Sequence, residues 1–234
     1  MPVGILTDVA ASLGGGILGC ILGSRLSERW KSMLNNLLGV AALVMGIILI
    51  IRVHTLSAAI LSLILGAIVG ELLCLEDRVN KAASVVTKKI AGGADADAQY
   101  LTVVSAALVL FCFGGTGWYG ALNEGLTGDG SILVTKAILD SVSACIFAAI
   151  LGKIILCLCL PQLCVYLILF AISGLVSPYI TPVMIADFSA VGGMITLVAG
   201  LRLTKIKTDI KVLNLLPGLI LAFVISGLWT RLIG

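Results

Sequence analysis

Eight long apolar runs separated by short polar connections leave this chain few folds to choose from. They lie at about 4–23, 33–51, 56–74, 101–119, 132–152, 158–176, 182–201 and 212–231. About 20 apolar residues rising 1.5 Å each cross a hydrocarbon core of roughly 30 Å. With 60% hydrophobic residues and a mean hydropathy of +1.19, little is left over for a water-soluble domain. Inside lipid every backbone amide needs a partner within its own segment, which a helix supplies. The chain reads as a single transmembrane domain over residues 1–234, an all-α polytopic helix bundle of about eight spans. Met1 to Leu6 lacks the basic start of a signal peptide, so the first run is read as a retained span.

Basic residues orient such a bundle, because short connections rich in Lys and Arg stay on the cytoplasmic side. With both termini outside, the inner connections hold Arg25, Arg29 and Lys31; Arg78, Lys81, Lys88 and Lys89; Lys153; and Arg202, Lys205, Lys207 and Lys211. The outer side holds only Arg52 and Arg231, and Lys136 falls within the fifth run. This asymmetry predicts an N-out, C-out multi-pass membrane protein. It also accounts for the net charge of +3 without any nucleic-acid partner. The least defined boundary is at 150–162, where Pro161 favours a helix start and Lys153 offers an inner anchor.

Seven cysteines lie in or at the ends of apolar runs with no Cys-x-x-Cys pair, and His54 is the one histidine. That pattern predicts small packing residues and no metal, disulfide or cofactor. Gly15, Gly19 and Gly23 share one helix face, as do Gly66 and Gly70, so neighbouring backbones can approach closely there and a homodimer is reasonable. The segment 76–99 is the one sizeable polar stretch. Val79, Ala83, Val86 and Ile90 recur at helical spacing, which predicts a cytoplasmic amphipathic connector lying on the inner leaflet, followed by a flexible linker at Gly92–Asp97. Between the fourth and fifth runs, glycines at 114, 115, 117, 120, 125, 128 and 130 surround polar side chains. That stretch suits either an ordinary outer loop or a re-entrant turn lining a wet cavity.

Ionisable residues within spans are costly and normally face the bundle interior, a partner or water. Asp8, Lys136, Asp140 and Asp187 lie in the outer halves of their runs. Lys136 and Asp140 are four apart on one helix face and can neutralise each other. Asp8 and Asp187 have no cation near them in sequence, and with Glu124 and Asp129 they could form an acidic outer vestibule. The two occupy matching places in an internal echo. Asp8, Ser12 and Gly14-Gly15 correspond to Asp187, Ser189 and Gly192-Gly193, and Asn36-Leu37-Leu38-Gly39 corresponds to Asn214-Leu215-Leu216-Pro217-Gly218. A parallel repeat of spans 1–2 and 7–8 would explain it. At the inner side Glu71 ends the third run, either as a gate residue or as an interfacial acid.

Several of these residues carry a family resemblance. Gly14-Gly15, Gly70-Glu71-Leu72, Cys112-Phe113-Gly114, Gly125-Leu126-Thr127-Gly128-Asp129, Lys136, Leu139-Asp140, Thr181-Pro182, Ser189 to Gly193 and Asn214 to Pro217 resemble the bacterial membrane family catalogued as domain of unknown function 554. The resemblance covers nearly the whole chain. It implies a membrane transporter with no substrate attached. Where the family often has Pro-Met and Gln-Asp, this chain has Gly115-Thr116 and Asn123-Glu124.

Together these features predict a protein that moves a small solute or ion, as a channel or by alternating access. The route would be lined by Asp8, Lys136, Asp140, Asp187 and Ser189 from spans 1, 5 and 7, with Asn123, Glu124 and Asp129 from the Gly-rich segment and Glu71 at the inner gate. The chain has no Gly-x-x-x-x-Gly-Lys-Ser/Thr motif, so an ion gradient would drive any pumping. The carboxylates favour a cation or a proton-coupled solute, while Lys136 keeps an anion open. The alternative is a non-transporting scaffold or sensor that works through 76–99. No His, Cys, Asp or Ser cluster of catalytic type stands out, so an enzyme is not expected.

Overall fold

A computed structural model describes residues 1–23, 25–90, 98–206 and 209–232, and no strand occurs among them. Ten α-helices follow one another: α1 (Val3–Gly23), α2 (Glu28–Ile50), α3 (Leu56–Leu72), α4 (Leu75–Ile90), α5 (Ala98–Cys112), α6 (Gly115–Thr127), α7 (Ser131–Leu151), α8 (Ile154–Val176), α9 (Pro182–Leu203) and α10 (Pro217–Leu232). Short 3₁₀ turns at Ser177–Tyr179 and Val212–Leu215 precede α9 and α10. Seven segments are long and apolar enough to cross a membrane, among them α5 and α6 taken together as Tyr100–Thr127. The pair α3 and α4, bent by 57° at their junction, makes up to an eighth. Large apolar side chains such as Ile17, Leu18, Leu37, Val44 and Ile64 remain exposed, as a lipid-facing surface requires.

Small residues bring the helices together in three pairs. On α1, a Cβ at Gly15, Gly19 or Gly23 would run into the backbone of Ser141, Cys145 or Ala149 respectively, so α1 and α7 lie in near backbone contact and run parallel. Helices α2 and α9 meet through Gly39 and Gly46 against Gly200 and Gly193 and run antiparallel. Gly66 and Gly70 on α3 abut Gly218 within α10 and Asn214 before it, respectively. Without a hydrophobic driving force inside lipid, such close approach is what dispersion and packing have to work with. The α5 face carrying Val103, Val104, Ala107, Phe111 and Cys112 is buried at the centre with α7, α8 and α9 around it. Gly19→Leu is expected to cost about 1–3 kcal/mol or more through overpacking against Cys145 and Ala148. Thermal unfolding in detergent reads this, and an unchanged midpoint would mean that α1 and α7 are not held by their glycines.

Two local expectations are corrected. The Gly-rich segment is neither an outer loop nor an irregular turn, since residues 115–127 are helical and only 128–130 join α6 to α7. Its glycines serve packing. Gly117 abuts the Tyr166 hydroxyl, Gly120 abuts Leu133, and Gly125 abuts Ser173 and the Phe170 carbonyl. The break between α5 and α6 is stitched by side chains: Tyr166 Oη donates to the Phe111 carbonyl at 2.6 Å and Trp118 Nε1 to the Cys112 carbonyl at 2.8 Å. This satisfies carbonyls that a helix end would otherwise leave bare in lipid.

The second correction concerns Pro161, which lies inside α8 instead of starting it. Helix α7 ends at Gly152, whose φ of 70° only glycine adopts readily, and its N–H closes on the Ala148 carbonyl at 2.8 Å. The segment expected as an amphipathic connector is helical over α4. Residues Val79 and Ala83 of α4 pack on the protein core, and Asn80 accepts a hydrogen bond from Ser105 of α5 at 3.1 Å. That part of the stripe packs toward α5. The linker at Gly92–Asp97, and the side chains of Val86, Lys88, Lys89 and Ile90, lie outside the described residues.

Candidate functional site

The parallel contact of α1 with α7 sets the site. Held by Gly15, Gly19 and Gly23, α1 places Asp8 beside the Lys136–Asp140 pair one helical turn apart on α7, and α8 adds Gln162. Lys136 Nζ lies 3.4 Å from Asp8 Oδ2 and donates to Asp140 Oδ2. Gln162 Nε2 bridges the two carboxylates, donating to Asp8 Oδ2 at 3.0 Å and to Asp140 Oδ2 at 3.2 Å. The ammonium also sits 5.6 Å from the centre of the Tyr166 ring. Asp8 and Gln162 are 0% exposed, and Lys136 and Asp140 are 7% and 8% exposed. The sequence spacing thus located one ion pair, and the fold makes it a three-charge cluster with a bridging amide.

Lys136 and Asp140 also face a cavity of about 330 Å³ bounded by α2, α5, α7, α9 and the first turn of α6. Its walls are mostly apolar, with Leu38, Ala42, Met45, Phe111 and Leu139, and they carry a few hydroxyls from Thr116, Thr135, Ser143 and Thr196. Gly114, the N-cap of α6, forms part of the wall and caps the helix with no side chain. A mostly apolar hollow with a few convergent polar groups is the usual form of a small-molecule site. Asp8, Ser12 and Gln162 stand behind the charged wall and do not line this cavity.

Other predicted site residues do different work. Glu124 is buried and accepts from the N–H groups of Gly4 at 2.6 Å and Ile5 at 3.1 Å, which caps α1 from α6. Asp187, also buried, accepts from the N–H groups of His54 at 3.0 Å and Thr55 at 2.6 Å with one oxygen, and from Ser226 with the other at 2.6 Å. It caps α3 from α9, since Thr55 is that helix's N-cap residue. An anion there also meets the positive end of the helix dipole. The two echoed aspartates therefore share no partner. Asp8 belongs to the α1, α7 and α8 cluster, while Asp187 lies among α9, α10 and the start of α3, so the expected shared vestibule is not formed. Ser189 is half-buried on α9, apart from the charged cluster.

Asn123 donates to the Asp129 carbonyl at 3.1 Å and lines a separate pocket of about 170 Å³ with Tyr119, Leu126, Ser173 and Ile185. Asp129 is exposed in the turn before α7, and the Ser131 N–H at 2.9 Å holds its carboxyl below the usual range. At the opposite end of α3, Glu71 accepts from Asn214 at 2.6 Å and faces Lys211 at 3.6 Å. It joins a larger network. Buried Arg202 pairs with Glu76 at 2.7 Å, and Glu76 accepts from the Leu213 N–H at 3.0 Å and donates its own N–H to Asn214. Lys211 donates to Asp77 at 3.0 Å, and that hydrogen bond, with the charges of Asp77 and Glu71, holds its ammonium above the ordinary range.

Sequence reasoning assigned none of Gln162, Ser12, Glu76 and Arg202 to a site, although Ser12 stands in the internal echo and Arg202 among the inner basic residues. Gln162 carries no charge, so a search for intramembrane ions skips it, although a glutamine deep in an apolar run is itself a signal of a partner. Glu76 and Arg202 looked like ordinary connection residues because each sits at the end of a run, 126 positions from the other.

The chain belongs to the family described as "Protein of unknown function (DUF554)", which matches residues 3–227. It is 40% identical over 232 residues to the uncharacterized protein YqgA of Escherichia coli (strain K12), covering 98% of each chain. It is 27% identical over 224 residues to the uncharacterized membrane protein YdfK of Bacillus subtilis (strain 168), covering 93% of each. No solved structure matches it. Helices, apolar surface and family agree on a polytopic membrane protein.

Proposed function

We propose that this protein moves a small solute or ion across the bacterial inner membrane, with both termini outside as the basic residues orient it. The observation that carries this reading is the charged wall of Lys136 and Asp140 on an intramembrane cavity. A packed scaffold has no need of it, because buried charges cost several kcal/mol each and an apolar core of the same shape would hold the helices as well. The discontinuous α5–α6 span supports the same reading. The N-terminus of α6, with no side-chain cap at Gly114, borders the cavity, and transporters place such helix ends at their solute sites.

The cavity suits a solute with an apolar body and one charged or polar end. Thr116 and Thr135 would orient it, and Lys136 and Asp140 would recognise the charge. Ion gradients would supply the energy, and a cation or a proton is the favoured coupling partner. The other reading, a scaffold or sensor acting through residues 76–99, needs an exposed apolar stripe on α4, whereas Val79 and Ala83 of that stripe are half-buried against the core.

The test is flux in proteoliposomes across a panel of ions and small acids and amines. Asp140→Asn is expected to cut flux roughly tenfold or more, the equivalent of one charge-assisted contact. Ala42→Phe is expected to block flux by filling the cavity while the protein still folds. Vesicles with protein that pass nothing beyond the leak of empty ones would favour the scaffold.

A further inference from the structure

We propose that Asp8, with Gln162 and the Lys136–Asp140 pair, forms a proton-binding site that holds one exchangeable proton per chain. Two counts on the cluster lead there. The first is charge. Two carboxylates and one ammonium, all nine-tenths or more buried, sum to one uncompensated negative charge when all are ionised. A net charge at that depth is costly, and one added positive charge removes it.

The second count is hydrogen bonds. Asp8 Oδ2 accepts from both Lys136 and Gln162, but Asp8 Oδ1 has no donor. Gln162 Oε1 has none either, and the Ser12 hydroxyl, one turn beyond Asp8 on the same helix face, is unpaired. A carboxylate oxygen and an amide oxygen are acceptors only, so these two orphaned acceptors outnumber the one spare donor, the Ser12 hydroxyl. Turning the Gln162 amide over does not help, since its oxygen would then face both carboxylates. A proton on Asp8 Oδ1 converts an orphaned acceptor into an O–H donor, and brings the cluster from one negative charge to zero.

The occupants of the site favour a proton over a metal ion. The oxygens of Asp8 and Asp140 that face each other are already taken by the Lys136 ammonium and the Gln162 amide, and a metal ion between them would lie against a fixed positive charge. A proton displaces no ligand and needs no void. The other titratable groups facing Asp8 are occupied. On α8 the Tyr166 hydroxyl donates to Phe111 and the Cys159 thiol to Ile155, and on α6 Glu124 is engaged by the first turn of α1. On α7 Lys136 and Asp140 border the cavity, which opens a route for proton exchange between Asp8 and water. Protonation weakens the hold of Asp8 on Lys136 and leaves the ammonium to Asp140 at the cavity wall. The role of this proton as coupling ion rests on the transport reading above, whereas its binding does not.

The test is pH-difference infrared spectroscopy of the purified full chain in lipid, following the C=O stretch of a protonated carboxyl. We expect one band titrating with one proton per chain, absent in Asp8→Asn and shifted in midpoint by about one pH unit or more in Gln162→Leu. Asp8→Asn leaves a neutral Lys136–Asp140 pair and should fold. If it does not, Gln162→Leu decides, and an unshifted midpoint overturns the proposal. A band untouched in Asp8→Asn, or one abolished by sodium at constant pH, overturns it as well. The band without flux leaves the proton site standing and removes the transporter. Flux without the band does the reverse.

Discussion

Lys136→Met should lower the stability of the detergent-purified protein by about 3–5 kcal/mol, because it strands two buried carboxylates together. Asp8 and Asp140 are each within reach of the Lys136 ammonium, and no second cation joins them in the described cluster. Asp140→Asn should cost far less, below about 2 kcal/mol, since Lys136 still pairs with Asp8 and the cluster becomes neutral. The spacing of Lys136 and Asp140 alone suggested that removing either partner would strand the other. The third charge, from α1, breaks that symmetry. The triple variant Lys136→Met, Asp8→Asn, Asp140→Asn should recover much of the loss, as coupled groups do. Thermal unfolding of the four proteins measures it. Equal losses in Lys136→Met and Asp140→Asn would mean that Asp8 takes no part.

Replacing Asp187 with alanine should cost about 3 kcal/mol or more, because the His54 and Thr55 N–H groups and the Ser226 hydroxyl lose their acceptor at about 1–3 kcal/mol each. Asp187→Asn should be mild. Its amide oxygen can still accept from the two N–H groups, and its nitrogen can donate to Ser226. The contrast separates a helix cap from an ion ligand. A cap tolerates asparagine in both stability and flux, whereas an ion ligand needs the charge. A well-folded Asp187→Asn protein that passes no solute would put Asp187 back on the transport route.

Properties that run along one helix were legible in the sequence. The length of each apolar run dictates a crossing. The four-residue spacing dictates that Lys136 can reach Asp140 and that Gly15, Gly19 and Gly23 share a face, because 3.6 residues per turn is a property of the backbone whatever surrounds it. The same letters carry no such message across helices. Glycine grants left-handed turns at Gly152 and close packing at Gly117, Gly120 and Gly125, and composition does not distinguish the two uses, so α6 reads as a loop. Pro161 reads as a start but is carried inside α8, where neighbouring groups in a bundle can absorb the missing N–H. Asp8 and Asp187 stand at echoed positions, yet one meets an ammonium 128 residues away while the other caps a helix 132 residues away. Local geometry is set by the chain's own covalent repeat. Which charge faces which, and whether a buried carboxylate pairs with a cation or caps a helix, is decided only when separate helices pack and each polar group must find its partner out of water.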